Sequence, residues 1–346
     1  MNKKLKGQFY TIQSNYILDG FEEEIRNIQA TRIIEPFAGK GDLIDWIQKY
    51  SSLPVEAYDI DPKQRYIEKR DTLKNPPYYE KAFIITNPPY LARNKSIDKS
   101  YFDMYQTNDL YKCFLKSMKG CEGGILIIPA GFMLSPRDID FQSRNDFLSQ
   151  YQIKKIKYFE EDVFPDTSIT VIAILFQKLN QTIDKQDILW QKMPDGSQKI
   201  FTITRENKWI VGGDIYHLPI YKDIQIKRYI DGQILNKDEF LTSLTLTALD
   251  SGKQLGRICL EYKEGYIYPS KDTSRSYATI YIKGMDLGID EQKKIAEKFN
   301  DFIEKRREEY WSLFLPQYRE SKEYARKRIP FELAYLIISN LILMKN

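Results

Sequence analysis

The chain has 346 residues, with 52 Lys and Arg against 48 Asp and Glu, a net charge of +4, and 42% hydrophobic, 14% aromatic and 29% charged residues. That length suits two domains of ordinary size, and that apolar share is enough for packed cores, which excludes a mainly disordered chain. A balance so close to neutral names no polyanionic partner by itself, so a basic face has to be local.

Taken in order, the first half alternates β-branched runs with helical patterns, the signature of a parallel α/β sheet. Strands are expected at Thr31–Phe37, Pro54–Asp59, Ala82–Asn87 and Gly124–Pro129, and helices at Asp42–Tyr50, Asp109–Met118 and near Asp138–Gln150. Ile153–Phe159 and Ile169–Gln177 are separated by a loop too short for a crossover helix, so they are expected to form an antiparallel hairpin at the end of the sheet. From Asn180 the texture changes: turn clusters (Pro194-Asp195-Gly196, Gly212-Gly213-Asp214, Asp231-Gly232, Gly252) separate short runs such as Lys199–Thr204 and Tyr277–Lys283. The pattern turns helical from Asp290, over Lys293–Trp311 and again from Pro330. A boundary near residue 180 divides the chain into domains 1–180 and 181–346.

No window holds the ~18 to 20 apolar residues of a membrane helix. The longest candidate, Ala334–Met344, is short and is interrupted by Ser339 and Asn340. Met1–Thr11 has lysines without a following apolar run, so no secretory signal is expected. Three cysteines, Cys113, Cys121 and Cys259, and the single His217 do not make a usual zinc site; no metal is expected, and a reducing cytoplasm fits. Cys113 falls on an apolar helix face and His217 in a turn-rich stretch, so both read as structural.

The sharpest local signal is Asn87-Pro88-Pro89-Tyr90, directly after a strand. In an α/β sheet the carboxyl ends of strands line the ligand crevice, and the prolines restrict the backbone there. The Asn87 side-chain oxygen and the Pro88 carbonyl can each accept one hydrogen of an exocyclic NH2, aiming the nitrogen lone pair at an electrophile, while Tyr90 offers a face to a planar base. The second signal is Glu35-Pro36-Phe37-Ala38-Gly39-Lys40-Gly41, a glycine turn opening a helix. It lacks the third glycine of a dinucleotide fingerprint and the Gly-Lys-Ser/Thr of a P-loop. Asp59, followed by Ile60 at the end of the next strand, lies about twenty positions on, where an acid holds ribose hydroxyls. Together they point to a nucleoside-type cofactor.

In this order the Gly39/Gly41 turn, Asp59 and Asn87–Tyr90 resemble the S-adenosylmethionine-dependent amino-methyltransferases, more narrowly the DNA N6-adenine methyltransferases of restriction-modification systems. Gly7-Gln8-Phe9-Tyr10-Thr11 is similar to that family's GQFYTP segment, although Ile12 replaces the proline. Asp109–Leu115 followed by Gly123–Pro129 resembles the helix and strand after the catalytic motif, and Val163-Phe164-Pro165 followed by Ile169–Lys178 resembles the hairpin whose aromatic packs on the target base. The resemblance spans roughly residues 5 to 180, and the extra domain comes last, as in the gamma arrangement.

The resemblance implies a Rossmann-like methyltransferase sheet with an antiparallel final hairpin, plus a C-terminal α+β target recognition domain over 181–346. It implies Asn87, Pro88, Pro89 and Tyr90 as the catalytic set. Phe9, Tyr10, Thr11, Glu35, Pro36, Phe37, Ala38, Gly39, Gly41, Asp59, Ile60, Asp71 and Asn87 would hold S-adenosylmethionine, and Tyr90 and Phe164 would enclose a flipped adenine. Asp71 competes with a plain surface carboxylate. Lys271, Ser274 and Arg275, within Lys271–Tyr277, and Arg326 and Arg328, from the cluster Arg319, Lys322, Arg326, Lys327 and Arg328, are candidate contacts to double-stranded DNA. For that cluster a solvated charged face is an equal alternative. A cognate restriction endonuclease is the further partner this reading allows. An RNA adenine methyltransferase and a catalytically inactive DNA-binding specificity subunit stay open. A protein-glutamine methyltransferase is disfavoured by domain order, and Asp223–Lys227 has no acidic partner that would make a nuclease motif.

Overall fold

The structure is a computed structural model; it describes residues 13–165, 167, 169–250, 257–317 and 327–343. Phe9, Tyr10, Thr11 and Arg326, with Arg319 and Lys322, lie outside the described residues. A first compact unit ends at Trp209 and a second begins at Ile210.

The first unit opens with α1 (Ser14–Leu18) and α2 (Glu22–Arg26), then follows β1 (Arg32–Glu35), α3 (Asp42–Tyr50), β2 (Val55–Asp59), β3 (Glu68–Lys69) and β4 (Ala82–Thr86). Next come α4 (Ser100–Tyr105), α5 (Leu110–Ser117), β5 (Gly123–Pro129), α6 (Gly131–Leu134) and α7 (Asp138–Leu148). The unit closes with β6 (Tyr151–Phe159), β7 (Val171–Lys178), β8 (Lys185–Met193) and β9 (Gln198–Thr204). One nine-stranded sheet has the order β3-β2-β1-β4-β5-β7-β6-β8-β9. Pairings from β3 through β5 are parallel, β7 is antiparallel to both β5 and β6, and β8 is parallel to β6. This is the α/β sheet, parallel through β5 and antiparallel at β7, that the sequence led one to expect. Its central strands read as continuous apolar runs because they are covered on both faces: Ala82–Ile85 of β4 and Ile125–Ile128 of β5 are buried throughout.

Two expectations are corrected. The β6–β7 hairpin does not end the sheet, because β8 and β9 continue it, and for the same reason the boundary falls at Trp209 rather than near residue 180. Ile188 and Trp190 of β8 and Phe201 and Ile203 of β9 are buried, so cutting the chain at 180 would strip apolar cover from the first core. Arg144, itself fully buried, adds a polar tie: its guanidinium donates to the Lys208 carbonyl oxygen at 2.7 and 3.0 Å and to that of Phe132 at 2.6 Å.

In the second unit, β10 (Gln225–Arg228), β11 (Glu239–Thr247), β12 (Cys259–Tyr262) and β13 (Tyr277–Lys283) form an antiparallel sheet of order β10-β13-β11-β12. α8 (Ile289–Tyr310) and α9 (Phe331–Leu343) complete the unit. Period-two alternation explains its two faces. Leu244, Leu246, Leu260, Ile280 and Ile282 point into a core shared with Phe299 and Ile303 of α8 and Ile337 and Ile338 of α9. Thr245, Thr247, Glu261 and Tyr277 occupy the other face. Asn300 of α8 fixes the register of helix on strand by exchanging hydrogen bonds with the Leu260 backbone at 2.9 and 3.0 Å.

Candidate active site

The crevice at the carboxyl ends of β1, β2 and β4 is built outward from a buried acid. Glu35, the last residue of β1, is fully buried; its Oε1 accepts the Phe37 N–H at 2.9 Å and the Thr86 hydroxyl at 2.5 Å. Its Oε2 has no hydrogen-bond partner among the described residues. Burial pushes the Glu35 carboxyl up to about 8, with the Asp59 charge adding to the effect while Thr86 and Phe37 oppose it.

The turn after Glu35 needs its glycines. Gly39 and Gly41 have φ of 56° and 97°, in the left-handed region that an L side chain occupies at a cost. A Cβ on Gly41 would lie 2.3 Å from the Tyr66 hydroxyl. The Ala38 N–H donates to the Tyr58 carbonyl oxygen at 2.8 Å, and Asp59 braces the turn from β2 by accepting the N–H of Gly39 at 2.8 Å and of Asp61 at 2.7 Å. Each Asp59 oxygen keeps a further lone pair. Phe37 packs edge-on against Phe114 at 5.1 Å, and Ile60 is 47% exposed beside Asp59.

The segment holding Asp71 is docked on this turn, because the buried Thr72 hydroxyl donates to the Pro36 carbonyl oxygen at 3.0 Å. Asp71 accepts the Tyr101 hydroxyl at 2.7 Å and the Lys74 N–H at 3.1 Å, so it is a fixed group beside the crevice.

Asn87–Tyr90 leaves the carboxyl end of β4, next to β1. Asn87 is 9% exposed. The Tyr90 hydroxyl lies between the Asn87 side-chain oxygen and the Ile127 carbonyl oxygen of β5, 2.6 Å from the latter. The Tyr90 ring meets Tyr111 of α5 edge-on at 6.4 Å, and burial drives its phenol well above the usual range. Register puts the Phe164 loop at the same edge, since it leads into Val171, the partner of Pro129 at the end of β5. In this conformation Tyr90 is 4% and Phe164 2% exposed, so neither ring presents an open face.

Sequence reasoning did not single out Thr86, Thr72 or Asp109 as parts of this site. Asp109 could have been found: it is the cap residue just before α5, and its Oδ1 accepts the N–H of Leu91, the residue after Tyr90, at 3.1 Å. Thr86 and Thr72 act through contacts to Glu35 and Pro36 across long sequence separations, which no local pattern announces. Cys113 is buried as expected, and His217 is exposed at the end of the short 3-10 helix Gly213–His217. Among the described residues, no group of three or more His, Cys, Asp and Glu is arranged to hold a metal ion, and no helix is long and apolar enough to cross a membrane.

In the second unit, Lys271–Arg275 is a folded turn. The Lys271 N–H donates to Ser274 Oγ at 2.9 Å, and Arg228 holds the carbonyl oxygens of Ser274 and Asp272. Lys271 and Arg275 are exposed on it, and Ser274 is half-buried. Beside it lies a cavity of ≈ 550 Å3 on the polar sheet face, lined by Thr245, Thr247, Lys263, Tyr266, Tyr268 and Tyr277 among others. Arg328 is half-buried and Lys327 only 3% exposed, so these two members of the C-terminal cluster do not form a solvated face.

Residues 75–164 match the family model described as Eco57I restriction-modification methylase. That segment contains Asn87–Tyr90, α5, β5 and Phe164. Among solved structures, the chain is similar to the type I restriction-modification system methyltransferase subunit from Streptococcus thermophilus (16% identity, 53% of this chain and 47% of that one, TM-score 0.40). It is also similar to the type I restriction enzyme EcoKI M protein (12% identity, 56% and 50%, TM-score 0.43). A third is the type IIL restriction-modification enzyme MmeI, solved in complex with DNA (11%, 68% and 40%, TM-score 0.37). The alignments span half or less of those chains. Comparison with curated protein sequences finds no match.

Proposed function

We propose that this chain is an S-adenosylmethionine-dependent DNA methyltransferase of a restriction-modification system that modifies adenine at N6. The observation that carries the reading is the position of Asn87-Pro88-Pro89-Tyr90: at the carboxyl end of β4, one strand from the buried Glu35 and two from the braced Asp59, and inside the segment that matches the methylase family.

The residues fit a nucleoside that carries a methionine. The partnerless Oε2 of Glu35 suits an ammonium group, the remaining lone pairs of Asp59 suit a ribose diol, and the exposed side chain of Ile60 suits a flat base. Gly39 and Gly41 remove the side chains that would bar close approach of a ligand to the turn. Pro36, Phe37, Ala38 and Asp71 complete the assignment. S-adenosylmethionine supplies, when bound, a methyl group on a sulfonium leaving group. The chain's own task is then positioning and exclusion of water, without strong acid or base.

An adenine stacked in a duplex is out of reach, so the base is extruded into the site. The Asn87 side-chain oxygen and the Pro88 carbonyl accept the two amino hydrogens and aim the nitrogen. Tyr90 holds the Asn87 amide through its hydroxyl and, with Phe164, flanks the base once these rings are uncovered. The second unit serves as target recognition domain. Its exposed Lys271 and Arg275 contact phosphates, and the threonine- and tyrosine-lined cavity beside them faces base edges. On this reading a cognate endonuclease cuts the same sequence when unmethylated, and the protein acts in the cytoplasm.

The test is transfer of label from tritiated S-adenosylmethionine to unmethylated duplex DNA, with total RNA and Asn87→Ala in parallel, followed by nucleoside analysis. N6-methyladenine in DNA, abolished by Asn87→Ala, is expected; label in RNA or in neither would defeat the proposal.

A further inference from the structure

We infer that Asp109 is a positioning residue that sets the catalytic loop against the start of α5, so that the Asn87 amide and the Tyr90 ring are held where the target base must enter. This rests on the proposed transfer reaction and adds a residue to it.

The geometry is a two-stranded clasp. The Leu91 N–H donates to Asp109 Oδ1 at 3.1 Å, the Leu110 N–H donates to the Leu91 carbonyl oxygen at 3.1 Å, and the Arg93 N–H donates to the Asn108 carbonyl oxygen at 2.9 Å. Ala92 and Asp109 form an isolated antiparallel bridge at its centre. Two prolines precede Tyr90, and proline has no N–H to donate, so neither Pro88 nor Pro89 can be tied down through its own nitrogen. The first donors after Asn87 belong to Tyr90 and Leu91, and the Leu91 N–H goes to the Asp109 side chain. The clasp also aligns α5 with the loop: the residues after Asp109 include Tyr111, whose ring meets Tyr90 edge-on.

The carboxylate is held there at a cost. Burial pushes Asp109 up to about 6, against the pull of the Lys112 ammonium and of the N–H groups of Leu91, Tyr111 and Leu110. The other groups around it are the Tyr90 and Tyr111 hydroxyls, the Cys113 thiol, and Asp140 of α7, which together with Asn108 takes up the Lys112 ammonium. Since the folded value lies above the ordinary one, the ionised form lowers stability as pH rises from the ordinary carboxylate range to about 6. A carboxylate retained under that penalty, with its oxygen on the one loop that carries Asn87, is placed for the loop.

Asparagine keeps an acceptor for the Leu91 N–H and cannot titrate; alanine removes the acceptor. The experiment measures kcat and KM for methyl transfer to duplex DNA at saturating S-adenosylmethionine from pH 5 to 8. S-adenosylmethionine affinity by calorimetry and exchange of the Leu91 amide are followed alongside, in wild type, Asp109→Asn and Asp109→Ala. Asp109→Ala is expected to lower kcat about ten- to hundredfold with cofactor affinity within about twofold, because a misplacement of about 1 Å is enough for such a loss. Asp109→Asn is expected to stay within about threefold of wild type from pH 5 to 8, because its amide, like the protonated acid, keeps an oxygen that accepts the Leu91 N–H. Leu91 exchange should speed up in the alanine variant and not in the asparagine one.

Asp109→Ala with unchanged kcat, or equal damage in both variants, overturns the assignment. Should wild type transfer no methyl to DNA, the proposed function fails instead. Leu91 exchange still decides whether the clasp exists, since it requires no turnover.

Discussion

Replacing Glu35 by glutamine keeps the shape of the crevice and removes its most perturbed charge. The carboxyl stands at about 8 in the folded chain against 4.5 ordinarily. A folded value above the unfolded one means that the stability contribution is whole below the ordinary carboxylate range and is lost as pH rises to about 8. At ~1.4 kcal/mol per unit, the wild type should lose about 3 to 5 kcal/mol relative to Glu35→Gln between pH 5 and 9. The glutamine also leaves an amide where Oε2 had no partner, at about 1 to 3 kcal/mol whatever the pH, so the change with pH is the diagnostic quantity. Binding adds a second signature. An ammonium group arriving at Oε2 favours the ionised carboxylate, so S-adenosylmethionine should displace a proton, and its affinity should rise about tenfold per pH unit between 6 and 7.5. Calorimetry in two buffers of different ionisation enthalpy reads the proton count. Wild type should release close to one proton at pH 6.5, and Glu35→Gln none, with weaker binding. Equal affinity and equal proton release in both proteins would refute the placement of the ammonium at Glu35.

Further outcomes follow from other parts of the site. Asn87→Ala should abolish methyl transfer while leaving cofactor affinity by calorimetry within a few-fold; parallel loss of both would remove Asn87 from its assigned role. Gly41→Ala should cost about 1 to 2 kcal/mol in urea unfolding from its left-handed φ, with little extra from the Tyr66 hydroxyl, which is the exposed end of a side chain and can move. The double variant Lys271→Ala/Arg275→Ala should weaken DNA binding and reduce the slope of log affinity against log salt by about 2, with cofactor affinity unchanged; an unaltered slope would take these side chains off the DNA.

The centre of the parallel sheet was readable in the sequence because its strands are buried on both faces and announce themselves as apolar runs, as Ala82–Thr86 and Gly123–Pro129 do. The end of the sheet was not. Lys185–Met193 alternates buried and exposed residues like any half-covered strand, and only its parallel pairing with β6 says which sheet it joins. The two short helices before β1 are held by contacts no local pattern encodes: Lys157 of β6 donates to the carbonyl oxygens of Tyr16 and Asp19, and Lys155 to that of Gly20. The site divides in the same way. Groups assigned to react or bind in their own right, such as Glu35, Asp59 and Asn87, stand in compact motifs. Those that hold them still, such as Thr86, Thr72 and Asp109, become visible only once the chain is folded.

The central claim is that this crevice methylates adenine in DNA at a chosen sequence, and modification mapping of host DNA tests it most directly. Genomic DNA from cells lacking other adenine methyltransferases would be sequenced for N6-methyladenine after expression of wild type or of Asn87→Ala. The account predicts N6-methyladenine at one recurring short sequence with wild type and none with the variant. Unmodified adenines, or methyl groups confined to another base or to RNA, would contradict it.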